Sequence, residues 1–351
     1  MRNGKQMFGT NGVRGGVIGE TMTPALVLKI GAALGSMRRG RIAVGRDTRT
    51  SGEALTHALK AGLLMTGCDV VDMGVLPPTP PALQYIIKTN RFDGGAMITA
   101  SHNPPEYNGV KIIEADGTEM SDEEIIRLEG RFFAEEFDVV DWDGVGSESA
   151  APDRLEEYIE AVVAHFPEGI GRGGMTVVVD PGSGPAALTT PIILSRMGGC
   201  RVHTINGRLD GTFPGRMPEP TPEGLQPLSE MVLATGADFG GVAHDGDADR
   251  AVFVDTKGRY IEENYEFGLI EDYVCGRNSN GLVVTPVATS RLIRDIAEKH
   301  GCTVDYTPVG SIYVARRMIE LIGKGRKVSF GGEGNGGLIY PDHQFCRDGG
   351  A

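Results

Sequence analysis

The sequence predicts an α/β protein built from three similar domains, and three observations carry that expectation. A strand, a helix and a Gly-Cys step recur in the same order three times. The strands in these repeats are short, apolar and β-branched, as in parallel sheet buried on both faces. The length agrees, because 351 residues exceed what one hydrophobic core usually organises.

The first repeat runs from the strand-like Arg41-Ile42-Ala43-Val44-Gly45, through a helical stretch from Gly52 to Thr66, to Gly67-Cys68-Asp69-Val70-Val71. The second runs from Thr176-Val177-Val178-Val179-Asp180, through Ala186 to Met197, to Gly199-Cys200-Arg201-Val202. The third runs from Leu282-Val283-Val284-Thr285, through Ser290 to His300, to Gly301-Cys302-Thr303-Val304. Each reads as a βαβ unit whose helix ends at glycine, with a right-handed crossover. Polar, small-residue stretches from Gly146 to Pro152 and from Asp255 to Gly258 suggest domains at 1–150, 151–255 and 256–351.

Composition narrows the function. With 40% hydrophobic and 23% charged residues the chain is of ordinary globular type, and it has no apolar run long enough to cross a bilayer. The first residues lack the apolar stretch of a signal peptide, so the cytoplasm is the expected compartment. A net charge of −13 argues against nucleic acid, whose binding rests on neutralised phosphates. Small anionic substrates stay open, since a few local arginines suffice. Five cysteines without a C-x-x-C pair read as buried small hydrophobes.

The strongest chemical signal is Ala243-His244-Asp245-Gly246-Asp247-Ala248-Asp249-Arg250, set between two apolar runs. On a straight strand, residues i and i+4 stand about 13 Å apart, whereas oxygens held at ~2.1 Å by one Mg²⁺ nearly touch. The segment must therefore curl around its ion, and the small Gly246 and Ala248 permit it. An EF-hand is excluded, because Arg250 and Thr256 stand where it needs Gly and Glu. Three acids packed between apolar runs favour a metal loop over a solvated turn.

A second signal is Met97-Ile98-Thr99-Ala100-Ser101-His102-Asn103-Pro104. An apolar strand stops in a sharp turn that presents Ser101 at a strand's carboxyl end, where open α/β sheets place ligands. The glycines of a hydrolase elbow are absent, with Thr99 and Asn103 in their positions. Taken alone, the turn reads as structural more readily than as nucleophilic. The run Gly331-Gly332-Glu333-Gly334-Asn335-Gly336-Gly337 offers a carboxylate and an amide suited to the hydroxyls of a polar ligand, or equally a plain flexible loop. Near the N-terminus, Phe8-Gly9-Thr10-Asn11-Gly12-Val13-Arg14-Gly15 offers a cation that could meet phosphate. The string Gly182-x-Gly184-x-x-Ala187 imitates a dinucleotide fingerprint but lacks the acid about 20 residues on, and no P-loop string occurs.

Together, Thr99-Ala100-Ser101-His102-Asn103-Pro104, Asp245-Gly246-Asp247-Ala248-Asp249-Arg250 and Gly332-Glu333-Gly334-Asn335-Gly336 resemble the α-D-phosphohexomutase family in order and spacing. Asn335 and Gly337 resemble the family's archaeal branch, which includes phosphomannomutase/phosphoglucomutase and phosphoglucosamine mutase. The resemblance implies α/β domains around a central cleft and a phosphoserine enzyme that interconverts hexose 6- and 1-phosphates through a bisphosphorylated sugar. It implies Ser101 as phosphoryl carrier, and Asp245, Asp247 and Asp249 as ligands, with that serine, to one Mg²⁺. His102, Lys111 and Arg14 match the family's acid/base and phosphoserine-side positions. Thr10, Asn11, Arg250, Gly310, Ser311, Glu333 and Asn335 match substrate-binding positions. Hexose 1,6-bisphosphate is then the activator, hexose phosphates are the partners, and a monomer or homodimer is expected, without nucleic acid or membrane.

Two departures are visible. The phosphate-clamping string Arg-x-Ser-Gly-Thr of the family's fourth domain is absent, so three domains are expected here. Ser311 stands where relatives often carry His or Asp. Two competing readings follow. One is a metal-dependent phosphatase of haloacid-dehalogenase type, although Asp249 stands where that fold wants Thr or Val. The other is a non-catalytic binding paralogue without the clamp.

Overall fold

The computed structural model describes residues 7–9, 12–16, 21–74, 79–165 and 174–351. They fall into two compact units, Met1–Tyr158 with Leu209–Pro214, and Ile159–Arg208 with Gly215–Ala351. The first holds one sheet and the second holds two, so the three α/β domains are present. Among the described residues no helix is long and apolar enough to cross a membrane.

In the first unit the order is β1 (Val13–Gly16), α1 (Pro24–Met37), β2 (Arg41–Arg46), α2 (Gly52–Leu64), β3 (Asp69–Asp72), α3 (Pro80–Thr89), β4 (Gly94–Ile98), β5 (Tyr107–Ile113), α4 (Asp122–Ala134) and β6 (Glu148–Ala150). The sheet runs β1-β5-β4-β2-β3-β6. Its β4-β2-β3-β6 part is parallel, while β5 and β1 close one edge antiparallel. Strand alternation divides the core: Ile42 and Val44 pack with Leu55 and Leu59, and Ala43 packs on the opposite face with Leu83 and Ile87. The helices start where the sequence offers caps. Thr23, Thr79 and Ser121 each accept a backbone N–H of the first turn, two of them ahead of a proline at N1.

Helix α5 (Leu155–Ala164) carries the chain onward to β7 (Thr176–Asp180), α6 (Thr190–Arg196), β8 (Arg201–Thr204), α7 (Gln226–Thr235), β9 (Gly240–His244), β10 (Ala251–Val254) and β11 (Tyr260–Ile261). The second sheet is ordered β11-β10-β9-β7-β8. Then come α8 (Glu263–Arg277), β12 (Leu282–Pro286), α9 (Arg291–Lys299), β13 (Thr303–Thr307), α10 (Ser311–Gly323), β14 (Val328–Glu333) and β15 (Gly337–Ile339). They build the third sheet, β13-β12-β14-β15.

The Gly-Cys repeats are β2-α2-β3, β7-α6-β8 and β12-α9-β13, each with parallel strands. Two end in the same cap: Cys68 N–H reaches Leu63 O and Gly67 N–H reaches Leu64 O, and Cys302 and Gly301 do likewise to Ala297 and Glu298. This cap needs a left-handed residue, and Gly67 and Gly301 supply it at φ 81° and 72°.

Four expectations are corrected. The stretch from Ala186 to Met197 is not one helix but a 3₁₀ turn, Pro185–Leu188, followed by α6, because Pro191 has no N–H to continue the ladder. The second sheet continues past residue 255, since β11 pairs with β10. Gly331 to Glu333 lie in β14 rather than in a loop, because β15 pairs with all three and β12 pairs with Gly331 on the other side. Cys200 is only half-buried, unlike the other four cysteines.

Candidate active site

The three motifs occupy one topological position. In each domain a third strand, β4, β9 or β14, lies parallel beside the repeat's first strand and turns into an antiparallel hairpin. Ser101 lies in the turn after β4, the aspartates in the turn after β9, and Glu333 at the end of β14. Open α/β sheets bind ligands beyond the carboxyl ends of their strands, and the threefold repeat gives each domain one loop in that position.

In the first unit Ser101 is 1% exposed and adopts φ 53°. A left-handed serine costs about 1–2 kcal/mol and must be imposed by its surroundings. Arg49 does much of this. Its guanidinium is buried and donates to Ser101 O (2.8 Å), Asn103 O (2.6 Å), Pro104 O (2.5 Å) and Tyr107 O (2.9 Å). Its Nε donates to Asp47 Oδ2, which also accepts Thr99 Oγ1–H at 2.7 Å. Thr99 Oγ1 in turn accepts Ser101 N–H at 2.9 Å. The Phe213 ring covers the guanidinium at 5.2 Å.

Register gathers the expected cations at this turn. Lys111 in β5 pairs with Met97 in β4, and Arg14 in β1 pairs with Gly109 in β5. Arg14 Nη1 donates to Asn103 Oδ1 at 3.1 Å. Lys111 is buried and His102 half-buried. Thr10 and Asn11 lie outside the described residues.

In the second unit Asp245, Asp247 and Asp249 are all buried, with carboxylate oxygens within 4.8 Å of one another. The bend is taken up by Ala248 at φ 63° and not by Gly246. Three buried hard oxygen donors at this spacing fit a divalent cation of the Mg²⁺ type. Arg250 offsets part of their charge, its Nε lying 3.3 Å from Asp245 Oδ2 and 3.7 Å from Asp249 Oδ1, while Nη1 meets Glu219 at 3.2 Å.

The strand leading into this turn is fixed from behind. Arg216 Nε donates to Asp180 Oδ2 (2.8 Å) and Nη2 to His244 O (2.6 Å). His244 is fully buried, which lowers its pKa to about 4, so it is neutral. Its Nδ1 faces the Arg250 carbonyl at 3.0 Å and must carry the proton, leaving Nε2 to accept Thr190 Oγ1–H at 2.9 Å.

In the hairpin after β14, Glu333 Oε1 accepts Gly310 N–H at 3.1 Å, and Oε2 accepts Arg347 Nη1 at 3.2 Å. Arg347 Nη2 also donates to Asp249 Oδ2 at 2.6 Å. Asn335 Oδ1 accepts Gly337 N–H at 3.2 Å, so its amide shapes its own turn. Ser311 opens α10 and is buried. The structure thus joins Glu333, Gly310 and Asp249, which sequence reasoning placed in separate motifs. Sequence reasoning missed Arg49, Arg216 and Arg347. Arg49 had a signal in Asp47-Thr48-Arg49 directly after a strand, whereas Arg216 meets an aspartate far back along the chain and had none.

Fold and site together define a class, a multidomain α/β protein with a buried three-aspartate loop suited to a hard cation. Three family models match in succession: phosphoglucomutase/phosphomannomutase α/β/α domain I over residues 5–139, domain II over 156–258 and domain III over 262–351. The chain belongs to the phosphoglucomutase/phosphomannomutase family of phosphohexomutases, intramolecular phosphotransferases of the isomerase class. It is 47% identical to a phosphoglucomutase/phosphomannomutase of Thermococcus kodakarensis over 98% of this chain and 75% of that protein. It is 39% identical to a phosphoglucosamine/phosphogalactosamine mutase of Sulfurisphaera tokodaii, with the same coverage. The crystal structure of a phosphoglucomutase/phosphomannomutase family protein from Burkholderia thailandensis superposes with a TM-score of 0.85 at 28% identity, covering 98% of this chain and 75% of that one.

Proposed function

We propose that this chain interconverts hexose 1-phosphates and hexose 6-phosphates through a phosphorylated Ser101, with glucose and mannose as the preferred sugars. The observation that carries the reading is the buried Asp245–Asp247–Asp249 set in a chain whose Ser101 is held in a left-handed turn. Phosphoserine brings about −1.5 to −2 charges, and each like-charge pair at 4 Å costs about 4 kcal/mol at an effective dielectric of 20. Asp245, Asp247 and Asp249 would hold a divalent cation, Mg²⁺ in the cell, which would supply the neutralisation that a phosphoserine requires.

In the first transfer the Ser101 Oγ–P bond breaks and a P–O bond forms to the free 1- or 6-hydroxyl of the sugar. That hydroxyl's proton passes to His102 or Lys111. The bisphosphorylated hexose then reorients and returns its other phosphoryl group to Ser101 Oγ, while the sugar oxygen released takes a proton. Arg14 and Arg250 stabilise phosphoryl charge in transit. Glu333, Gly310, Ser311 and Asn335, together with Thr10 and Asn11, recognise the sugar phosphate. In this division the first domain carries the phosphoserine, the second, which runs on through β11, the metal loop, and the third the sugar loop. Hexose 1,6-bisphosphate acts as activator, and the setting is cytoplasmic. The Sulfurisphaera relative favours glucosamine phosphates as a second reading.

The test is conversion of glucose 1-phosphate, mannose 1-phosphate and glucosamine 1-phosphate with Mg²⁺ and a trace of glucose 1,6-bisphosphate. Isomerisation supports the proposal. Phosphate release without isomerisation would favour the phosphatase, and binding without turnover the non-catalytic paralogue.

A further inference from the structure

We propose that Arg347 is a positioning residue that ties the sugar loop to the metal loop and tempers cation affinity. This rests on the proposed assignment of those two loops. Arg347 is buried, and each half of its fork serves a different domain: Nη2 donates to Asp249 Oδ2 at 2.6 Å and Nη1 to Glu333 Oε2 at 3.2 Å. Glu333 is also held at Oε1 by Gly310 N–H, so both carboxylate oxygens are oriented.

The backbone around the arginine is built for this bridge. A Cβ at Gly337 would lie 2.3 Å from Arg347 Cδ, so the glycine leaves the side chain its path. Gly336 O accepts Ala251 N–H at 3.1 Å, which locks the sugar hairpin to the strand that leaves the metal loop. Two residues beyond Arg347, a Cβ at Gly349 would stand 2.6 Å from Arg250 O, so this segment lies directly on the metal loop.

A guanidinium hydrogen-bonded to one oxygen of Asp249 restrains the orientation of that carboxylate within the triad. Its positive charge also opposes a cation there. Charge and geometry therefore pull in opposite directions. Removing the arginine relieves repulsion on the metal while freeing Glu333 from its orientation. A residue with only a packing role would weaken both ligands together.

The experiment measures two equilibrium affinities by calorimetry on the full chain, for Mn²⁺ alone and for glucose 1,6-bisphosphate at saturating Mn²⁺. Arg347→Met should bind Mn²⁺ about tenfold more tightly and the bisphosphate about tenfold more weakly. Arg347→Lys keeps the charge but not the planar fork, so it should hold Mn²⁺ within about threefold of wild type and still lose bisphosphate affinity. If the methionine variant does not fold, the lysine variant alone decides. Weaker Mn²⁺ binding in Arg347→Met, or unchanged bisphosphate binding in Arg347→Lys, overturns the proposal. Absence of Mn²⁺ binding in wild type would overturn it together with the metal-loop reading. Mn²⁺ binding without bisphosphate binding in wild type would strike the mutase reading and overturn the sugar half of the proposal.

Discussion

The Arg49 guanidinium donates to the backbone carbonyl of Ser101 at 2.8 Å and, through the same planar group, to the carbonyls of Asn103, Pro104 and Tyr107. One buried side chain thus shapes the whole turn that carries the proposed phosphoryl acceptor. Replacing Arg49 with Met should leave Asp47 as a buried charge without its guanidinium, along with carbonyls stripped of donors. The expected loss is about 3–5 kcal/mol of stability, read from urea unfolding, with mutase turnover falling further than stability alone explains. A variant with wild-type unfolding and turnover would contradict this role.

Ser101 itself separates chemistry from backbone strain. Both Ser101→Ala and Ser101→Gly remove the acceptor oxygen, so neither should incorporate phosphate from glucose 1,6-bisphosphate, as peptide mass spectrometry would record. Because the residue sits at φ 53°, the glycine variant should be the more stable of the two by about 1 kcal/mol. Phosphate found on another residue, with the alanine variant active, would refute the assignment.

Cation binding should depend on the charge of the triad. Asp247→Asn removes one of three buried carboxylates and should weaken Mn²⁺ binding by about tenfold or more. Phosphorylation of Ser101 should tighten binding in wild type. Calorimetry on phosphorylated and dephosphorylated protein checks both points, and equal affinities would dismiss a shared site.

Stability should fall with rising pH because of two glutamates on α8. Glu266 is 3% exposed and Glu271 is fully buried, and neither carboxyl has a hydrogen-bond partner among the described residues. Burial, reinforced by Glu263 and Asp272 respectively, raises their pKa values to about 9 and about 8. They are neutral in the folded protein at pH 7 but ionised in the unfolded chain, so the native state binds more protons. Their contribution is complete below about pH 4.3 and declines as pH rises through 8 to 9, by at most about 1.4 kcal/mol per pH unit per group. Urea midpoints between pH 5 and 9 should slope downward in wild type and flatten in the Glu266→Gln, Glu271→Gln double variant. Parallel profiles would show that these groups do not govern the slope.

Much of this architecture was legible in the chain itself, for local reasons. The Gly-Cys repeats marked three βαβ units, and in two of them the reason is a Schellman cap, which needs glycine at a fixed place after a helix, where Gly67 and Gly301 stand. The gathering of Asp245, Asp247 and Asp249 was legible because alternating carboxylates between apolar strands must curl together to share a cation. Some local rules were overridden by neighbours. Gly331 to Glu333 read as loop from composition, but β15 pairs with all three and β12 with Gly331, which makes them a strand. Ala248 and not Gly246 takes the left-handed bend of the metal loop. Only the tertiary structure could decide which arginine meets which acid. Arg216 finds Asp180, and Arg347 finds both Asp249 and Glu333, across separations that no periodicity encodes. Sequence pattern determines which face of an element is buried, whereas the partner of a long charged side chain is chosen by the chain's path through space.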